Sequence, residues 1–132
     1  MNAEFMLNTD SVSFALRGQG RVASQILERR PSEICISALT LAELRYGAAR
    51  RNSKRLHALI DAFMSNISVM PFDETCAAHF GVVASGLAQR GSPIGEFDAL
   101  IAAHALALEL TLVTNNVKHF TRVAGLRVDN WM

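Results

Sequence analysis

Residues 93–120, PIGEFDALIAAHALALELTLVTNNVKHF, decide the fold. Phe97, Leu100, Ile101, His104 and Leu108 recur at helical spacing, so an apolar helix opens behind Gly95-Glu96 and carries one acid, Asp98, in its first turn. Directly after it, Leu110 to Thr114 is a run of apolar and β-branched residues too short for a helix, and it reads as a strand. Asn115-Asn116 ends that strand, and such a pair suits a tight turn.

The same alternation extends outward in both directions. Phe5-Met6-Leu7 is a short strand that stops at Asn8-Thr9-Asp10. A helix follows with Val12, Leu16, Val22, Ile26 and Leu27 inward, interrupted near Gly18-Gln19-Gly20. Ile34 to Ser37 is the second strand, and Thr40 to Arg50 and Lys54 to Asn66 are helices. Ile67 to Phe72 contains Pro71 and reads as a short edge strand. Thr75 to Arg90 is a helix with Cys76, Phe80, Val83 and Leu87 inward, broken by Gly91-Ser92-Pro93. Leu126-Arg127-Val128 is a fifth strand. Strands separated by helices give an α/β fold: a short parallel sheet flanked by helices, one domain over residues 1–132.

With 132 residues, 50% of them apolar and 19% charged, the chain has material for a core and is not of disordered composition. A net charge of +1 excludes a broadly basic nucleic-acid binder, so any basic surface is local. Cys35 and Cys76 stand singly in apolar runs, which predicts free thiols in a reducing compartment, the cytoplasm. No signal peptide and no apolar run of the roughly 18 residues a membrane span needs is visible.

In a parallel sheet the ligand sits beyond the carboxyl ends of the strands, where strand order reverses. That directs suspicion to Asn8, Thr9 and Asp10, to Thr40 and Glu43, and to Thr114, Asn115 and Asn116. Each acid also has a purely structural reading. Thr40-x-x-Glu43 fits a capping box, Asp98 complements a helix dipole, and Asp10 suits a helix cap. Taken together, acids at one sheet edge repel one another unless a cation holds them. Hard ions such as Mg²⁺ or Mn²⁺ prefer such oxygens. Arg45, Arg50, Arg51, Lys54 and Arg55 form one dense basic stretch, suited to RNA phosphates, to an acidic partner or to plain solvation, with Arg17 and Arg21 as additions. Of the histidines, His104 lies on a buried stripe and reads as core, while His119 lies near the strand-end residues.

Four segments in order carry a resemblance. They are Met6-Leu7-Asn8-Thr9-Asp10, Ile36-Ser37 through Thr40-Leu41-Ala42-Glu43-Leu44-Arg45-Tyr46-Gly47-Ala48, Pro93 through Asp98 to Ala105, and Leu112-Val113-Thr114-Asn115-Asn116-Val117-Lys118-His119-Phe120. Gly125-Leu126 and Asn130-Trp131 close the match. The chain resembles the PIN-domain toxins of the VapC type, and the resemblance covers nearly all of it. It implies a PIN-like three-layer sandwich and a Mg²⁺-dependent endoribonuclease acting on tRNA or other structured RNA. It further implies a homodimer or toxin–antitoxin hetero-oligomer silenced by a VapB-type antitoxin, with no membrane association. Glu43 and Asp98 stand at two of the family's site carboxylates. The family carries Asp where this chain has Asn8, and some members carry an acid where it has His119. Asn is nearly the same shape as Asp but neutral, with one carbonyl oxygen to offer a cation. The expected site is therefore Asp98 and position 8 as metal ligands, Glu43 as water-mediated ligand or base, and Asn116 as an orienting group. Asn8 is therefore expected to weaken metal binding and to slow or abolish RNA cleavage, and it fits either a replacement made to silence a toxic enzyme or natural divergence. The alternative function is a catalytically dead binder of RNA or antitoxin.

Overall fold

The computed structural model describes residues 3–132. Five strands, β1 (Phe5–Leu7), β2 (Ile34–Ser37), β3 (Ser68–Met70), β4 (Thr111–Val113) and β5 (Val128–Asp129), form one parallel sheet in the order β3-β2-β1-β4-β5. The helices are α1 (Thr9–Arg17), α2 (Val22–Leu27), α3 (Ala38–Arg50), α4 (Lys54–Met64), α5 (Glu74–Gln89), α6 (Glu96–Ala107) and α7 (Val117–Phe120), and a single 3-10 turn spans Pro31–Glu33. All five expected strands are present, the fifth displaced from the expected Leu126-Arg127-Val128 to Val128–Asp129. The Pro71 segment lies at the sheet edge, as its proline requires. The expected break near Gly18 separates α1 from α2, with Gly18 in the left-handed conformation at the α1 C-terminus.

Side chains of a strand alternate between faces, and this divides the core in two. Met6 pairs with Cys35 on one side and Leu112 on the other. That row faces Leu87 of α5, Ile101, Ala102 and Ala105 of α6, and Phe120 of α7. Leu7, Ile34, Ile36 and Val113 face the opposite way, onto Val12, Val22, Leu44, Ala48 and Ile60 of α1 to α4, with Trp131. The result is three layers, α1–α4, sheet, and α5–α7, with the sheet buried on both faces. Both cysteines are free and buried, and burial pushes the Cys35 thiol up to about 12. Among the described residues no helix is long and apolar enough to cross a membrane.

One expected local structure is different. Helix α3 begins three residues earlier than the Thr40 capping box requires, and its cap is Ser37, whose Oγ accepts from the Leu39 N–H at 3.0 Å. Ser37 is the last residue of β2, so the chain turns straight from strand to helix and Thr40 lies one turn inside, fully buried. Glu43 is thereby released from any capping role.

Ser37 also ties α6 to the sheet, because its Oγ lies 2.8 Å from Nδ1 of the fully buried His104. His104 is a core histidine, as its position on the helix stripe predicts. It is only half satisfied, since Nε2 is buried without a hydrogen bond of good geometry. Burial lowers the affinity of this ring for a second proton below the ordinary 6.5, while the Pro71 carbonyl and the Asp73 charge pull the other way. The unfolded chain therefore binds a proton here at pH values where the folded chain does not. Stability from the neutral ring is complete above the unfolded value and falls as the pH drops toward the folded one. Ser37, Pro71, Phe72 and Asp73 are the groups that face the ring. The melting temperature should fall on acidification from about pH 7.5 to about pH 5.5, and less steeply in His104→Gln. Parallel melting curves for the two proteins would refute this.

Candidate active site at the carboxyl edge of the sheet

The strand order reverses at β1, which has β2 on one side and β4 on the other. The crevice beyond the carboxyl ends of β1 and β4 is where such sheets bind ligands. Asn8 follows β1 directly, and its backbone N–H extends the ladder to Val113 O at 2.8 Å. It occupies the cap position of α1 but makes no side-chain cap bond. Its Nδ2 donates instead to Thr114 Oγ1 at 3.3 Å, and the residue is only 7% exposed.

Asp10 does not cap α1 either. Its carboxylate accepts from Ser11 N at 2.7 Å, from Asn115 N at 2.9 Å and from the Thr114 hydroxyl at 3.0 Å. It binds the start of α1 to the loop that leaves β4. Asn116 follows in that loop, exposed, with its backbone N–H on Thr114 Oγ1 at 3.1 Å and its side chain free of any cap bond to α7.

Glu43 and Asp98 each have one polar neighbour. The Thr9 hydroxyl donates to Glu43 Oε1 at 2.5 Å, which ties α3 to the residue after Asn8. Asp98 Oδ2 lies 3.0 Å from His119 Nε2, and the same nitrogen lies 2.8 Å from Ile94 O. A carbonyl can only accept, so Nε2 carries the proton and shares it between the two. Asp98 remains 35% exposed beside a His119 that is 22% exposed. His119 thus puts a donor on the Asp98 carboxylate that the sequence singles out.

From Thr9 and Glu43 a groove of about 170 Å³ runs past Leu16, Arg17, Leu44 and Arg51, and a second hollow of about 360 Å³ continues it to Arg55. Arg17, Arg51 and Arg55 therefore face a common depression. Arg45 does not join them, because its guanidinium is held by Asp61 and by the His57 ring and carbonyl on α4. Arg50 and Lys54 are exposed and line neither hollow.

Among the described residues no three His, Cys, Asp or Glu side chains cluster as a metal cage. The donors available are the carboxylates of Asp98 and Glu43 and the Asn8 amide oxygen. In kind this oxygen set fits a hard divalent cation, with less charge than a set carrying Asp at position 8.

Sequence reasoning named these residues but missed two of their connections, the Thr9 bond to Glu43 and the Asp10 clamp on the β4 loop. Thr9 and Asp10 stood among the suspected strand-end residues, yet nothing in the sequence pairs them with partners 34 and 104 positions away.

Residues 12–126 match the model of the PIN domain. The chain is 38% identical over 129 residues to the tRNA(fMet)-specific endonuclease VapC of Shigella flexneri, covering 97% of this chain and 98% of that one. It superposes on the DNA-bound VapBC of Salmonella typhimurium with a TM-score of 0.92 and 34% identity, over 98% of this chain and 99% of that chain. With VapBC2 of Rickettsia felis, bound to a DNA fragment from its promoter, the TM-score is 0.89 at 35% identity, over 97% and 98% of the two chains. Fold, strand-end residues and near full-length similarity agree: the chain belongs to the PIN-domain family, among the VapC ribonucleases.

Proposed function

We propose that this protein is the toxin of a toxin–antitoxin pair, an endoribonuclease that hydrolyses phosphodiester bonds of tRNA with the help of Mg²⁺ or Mn²⁺. The observation that supports this reading is Asn8 at the β1/β4 switch point, bonded to Thr114 beyond β4 and followed by Thr9, which donates to Glu43, in a chain of the VapC ribonucleases. The cation is inferred from the hard-oxygen donor set, which suits Mg²⁺ and Mn²⁺ alike. A VapB-type antitoxin is the partner expected from the relatives solved as VapBC assemblies, and a homodimer of the toxin belongs to the same proposal.

The residues divide the work as follows. Asp98 and the Asn8 side-chain carbonyl oxygen would hold the cation, and Glu43, kept in place by Thr9, would hold a water or accept its proton. His119 keeps the Asp98 carboxylate in one orientation. Asn116 orients groups on the β4 side. When bound, a divalent ion would activate water and offset charge on the phosphate in the transition state. Arg17, Arg51 and Arg55 carry the neighbouring phosphates of the strand along the groove that opens beside Glu43.

The test is cleavage of tRNA by the full chain with Mg²⁺ or Mn²⁺, against the same reaction with a chelator and against DNA. Cleavage of RNA that the chelator abolishes supports the proposal. Retention of RNA without any cut, at any metal concentration, assigns the chain to a binding role instead.

A further inference from the structure

We infer that Asn8 and Asp10 are a matched pair coupled through the single proton of Thr114, so that the charged member can stand at position 8 or at position 10 but not at both. In this chain it stands at position 10, which makes Asp10 a positioning residue for the site. The inference rests on the proposed nuclease reading in one respect, that position 8 faces the cation.

Thr114 is fully buried, so its hydroxyl is served by protein groups alone. Four contacts converge on Oγ1: Asn8 Nδ2 at 3.3 Å, Asn116 N at 3.1 Å, and the two Asp10 oxygens at 3.0 and 3.2 Å. A hydroxyl has one proton and two lone pairs. A carboxylate only accepts, so the proton goes to Asp10. The Asn116 N–H takes one lone pair. The second takes the Asn8 NH₂, and this fixes the amide with its NH₂ toward Thr114 and its oxygen away from it.

Every valence of Thr114 is then in use, and the consequences of substitution follow by counting. Asn8→Asp places an oxygen against a lone pair, in a buried setting, with the only proton already committed to Asp10. Asp10→Asn leaves one oxygen to serve both Ser11 N and Asn115 N, and it frees the Thr114 proton. That freed proton is what a carboxylate at position 8 needs. The two changes therefore compensate at Thr114, although each alone disturbs the loop that carries Asn116.

The experiment is a double-mutant cycle on the full chain: Asn8→Asp, Asp10→Asn and both together, with the same three in a Thr114→Val background. Two quantities are read, melting temperature and Mn²⁺ affinity by electron paramagnetic resonance. Each single change should lower the melting temperature, and the double change should lower it by less than their sum. The double variant should bind Mn²⁺ about tenfold or more tighter than either single variant. The coupling should vanish in the Thr114→Val background. A single variant that fails to fold where the double variant folds is the same result in stronger form. Additive melting temperatures, an Asn8→Asp variant that equals the double variant in Mn²⁺ affinity, or a double variant that does not fold would each overturn the pair. Thermal coupling without Mn²⁺ binding in any variant keeps the pair and removes the nuclease reading of position 8. Mn²⁺ binding without coupling does the reverse.

Discussion

Asp98→Asn is expected to reduce metal-dependent RNA cleavage by about a thousandfold, since loss of a charged ligand forfeits roughly 4 kcal/mol of transition-state stabilisation at ~1.4 kcal/mol per decade. The fold should hardly notice. Asp98 lies in the first turn of α6 and is partly exposed, so its favourable placement on the helix dipole contributes about 0.3–1 kcal/mol. Its neighbour is not stranded either, because His119 Nε2 keeps the Ile94 carbonyl as acceptor. The expected signature is thus a large fall in cleavage with a melting temperature within a few degrees of the parent. Chelator-sensitive cleavage that survives Asp98→Asn at near parental rate would remove Asp98 from the site. A matching collapse of the fold would recast it as structural.

The parts of the molecule that were legible in the sequence are those with a local period or a fixed position. The strands are buried on both faces, so they read as continuous apolar runs between helical patterns, and all five emerged. Asp98 and Glu43 were legible because each lies within a turn or two of a strand end or a turn. The helix cap was not, because Ser37 and Thr40 are both good caps, and the choice depends on where β2 stops pairing with β3 at Met70. The role of Arg45 was hidden for a related reason. Its place in a basic run suggests a free cation, but Asp61 on α4 lies sixteen residues away and takes it. Asp10 is the strongest case. A cap, a ligand and a loop clamp all ask for the same residue in the same place, and only the partner decides, here Thr114 and Asn115 across the sheet. Helix α7 has four residues, fewer than two turns, and so leaves no periodic trace.

That short helix carries the second large effect, Phe120→Ala, expected to cost about 3–5 kcal/mol of stability. Phe120 is fully buried and heads the largest enclosed side chains of the molecule, in the core beneath α5 and α6. Four residues cannot hold a helix by backbone propensity, because nucleation alone is unfavourable, so α7 stays in place through the burial of this ring. Truncation removes the ring and leaves a cavity between Met6, Leu112, Ala102 and Val123 that a parallel sheet and a packed helix cannot close. At roughly 3–5 °C per kcal/mol for a chain of this size, the melting temperature should fall by about 10–25 °C. Phe120→Leu keeps most of the buried area and should lose only about 1–1.5 kcal/mol. Activity should follow a different course from stability. The Phe120 ring packs edge-on against His119, with centroids 5.3 Å apart and planes at 88°, and His119 is the donor that orients Asp98. Well below its own melting temperature, the Phe120→Ala protein should therefore cleave more slowly than its folded fraction accounts for, whereas Phe120→Leu should not. Urea denaturation gives the first quantity and initial cleavage rates at low temperature the second. A loss below about 1 kcal/mol in Phe120→Ala would show that α7 is held by something other than this ring. A rate that tracks the folded fraction would sever the link from Phe120 through His119 to the site.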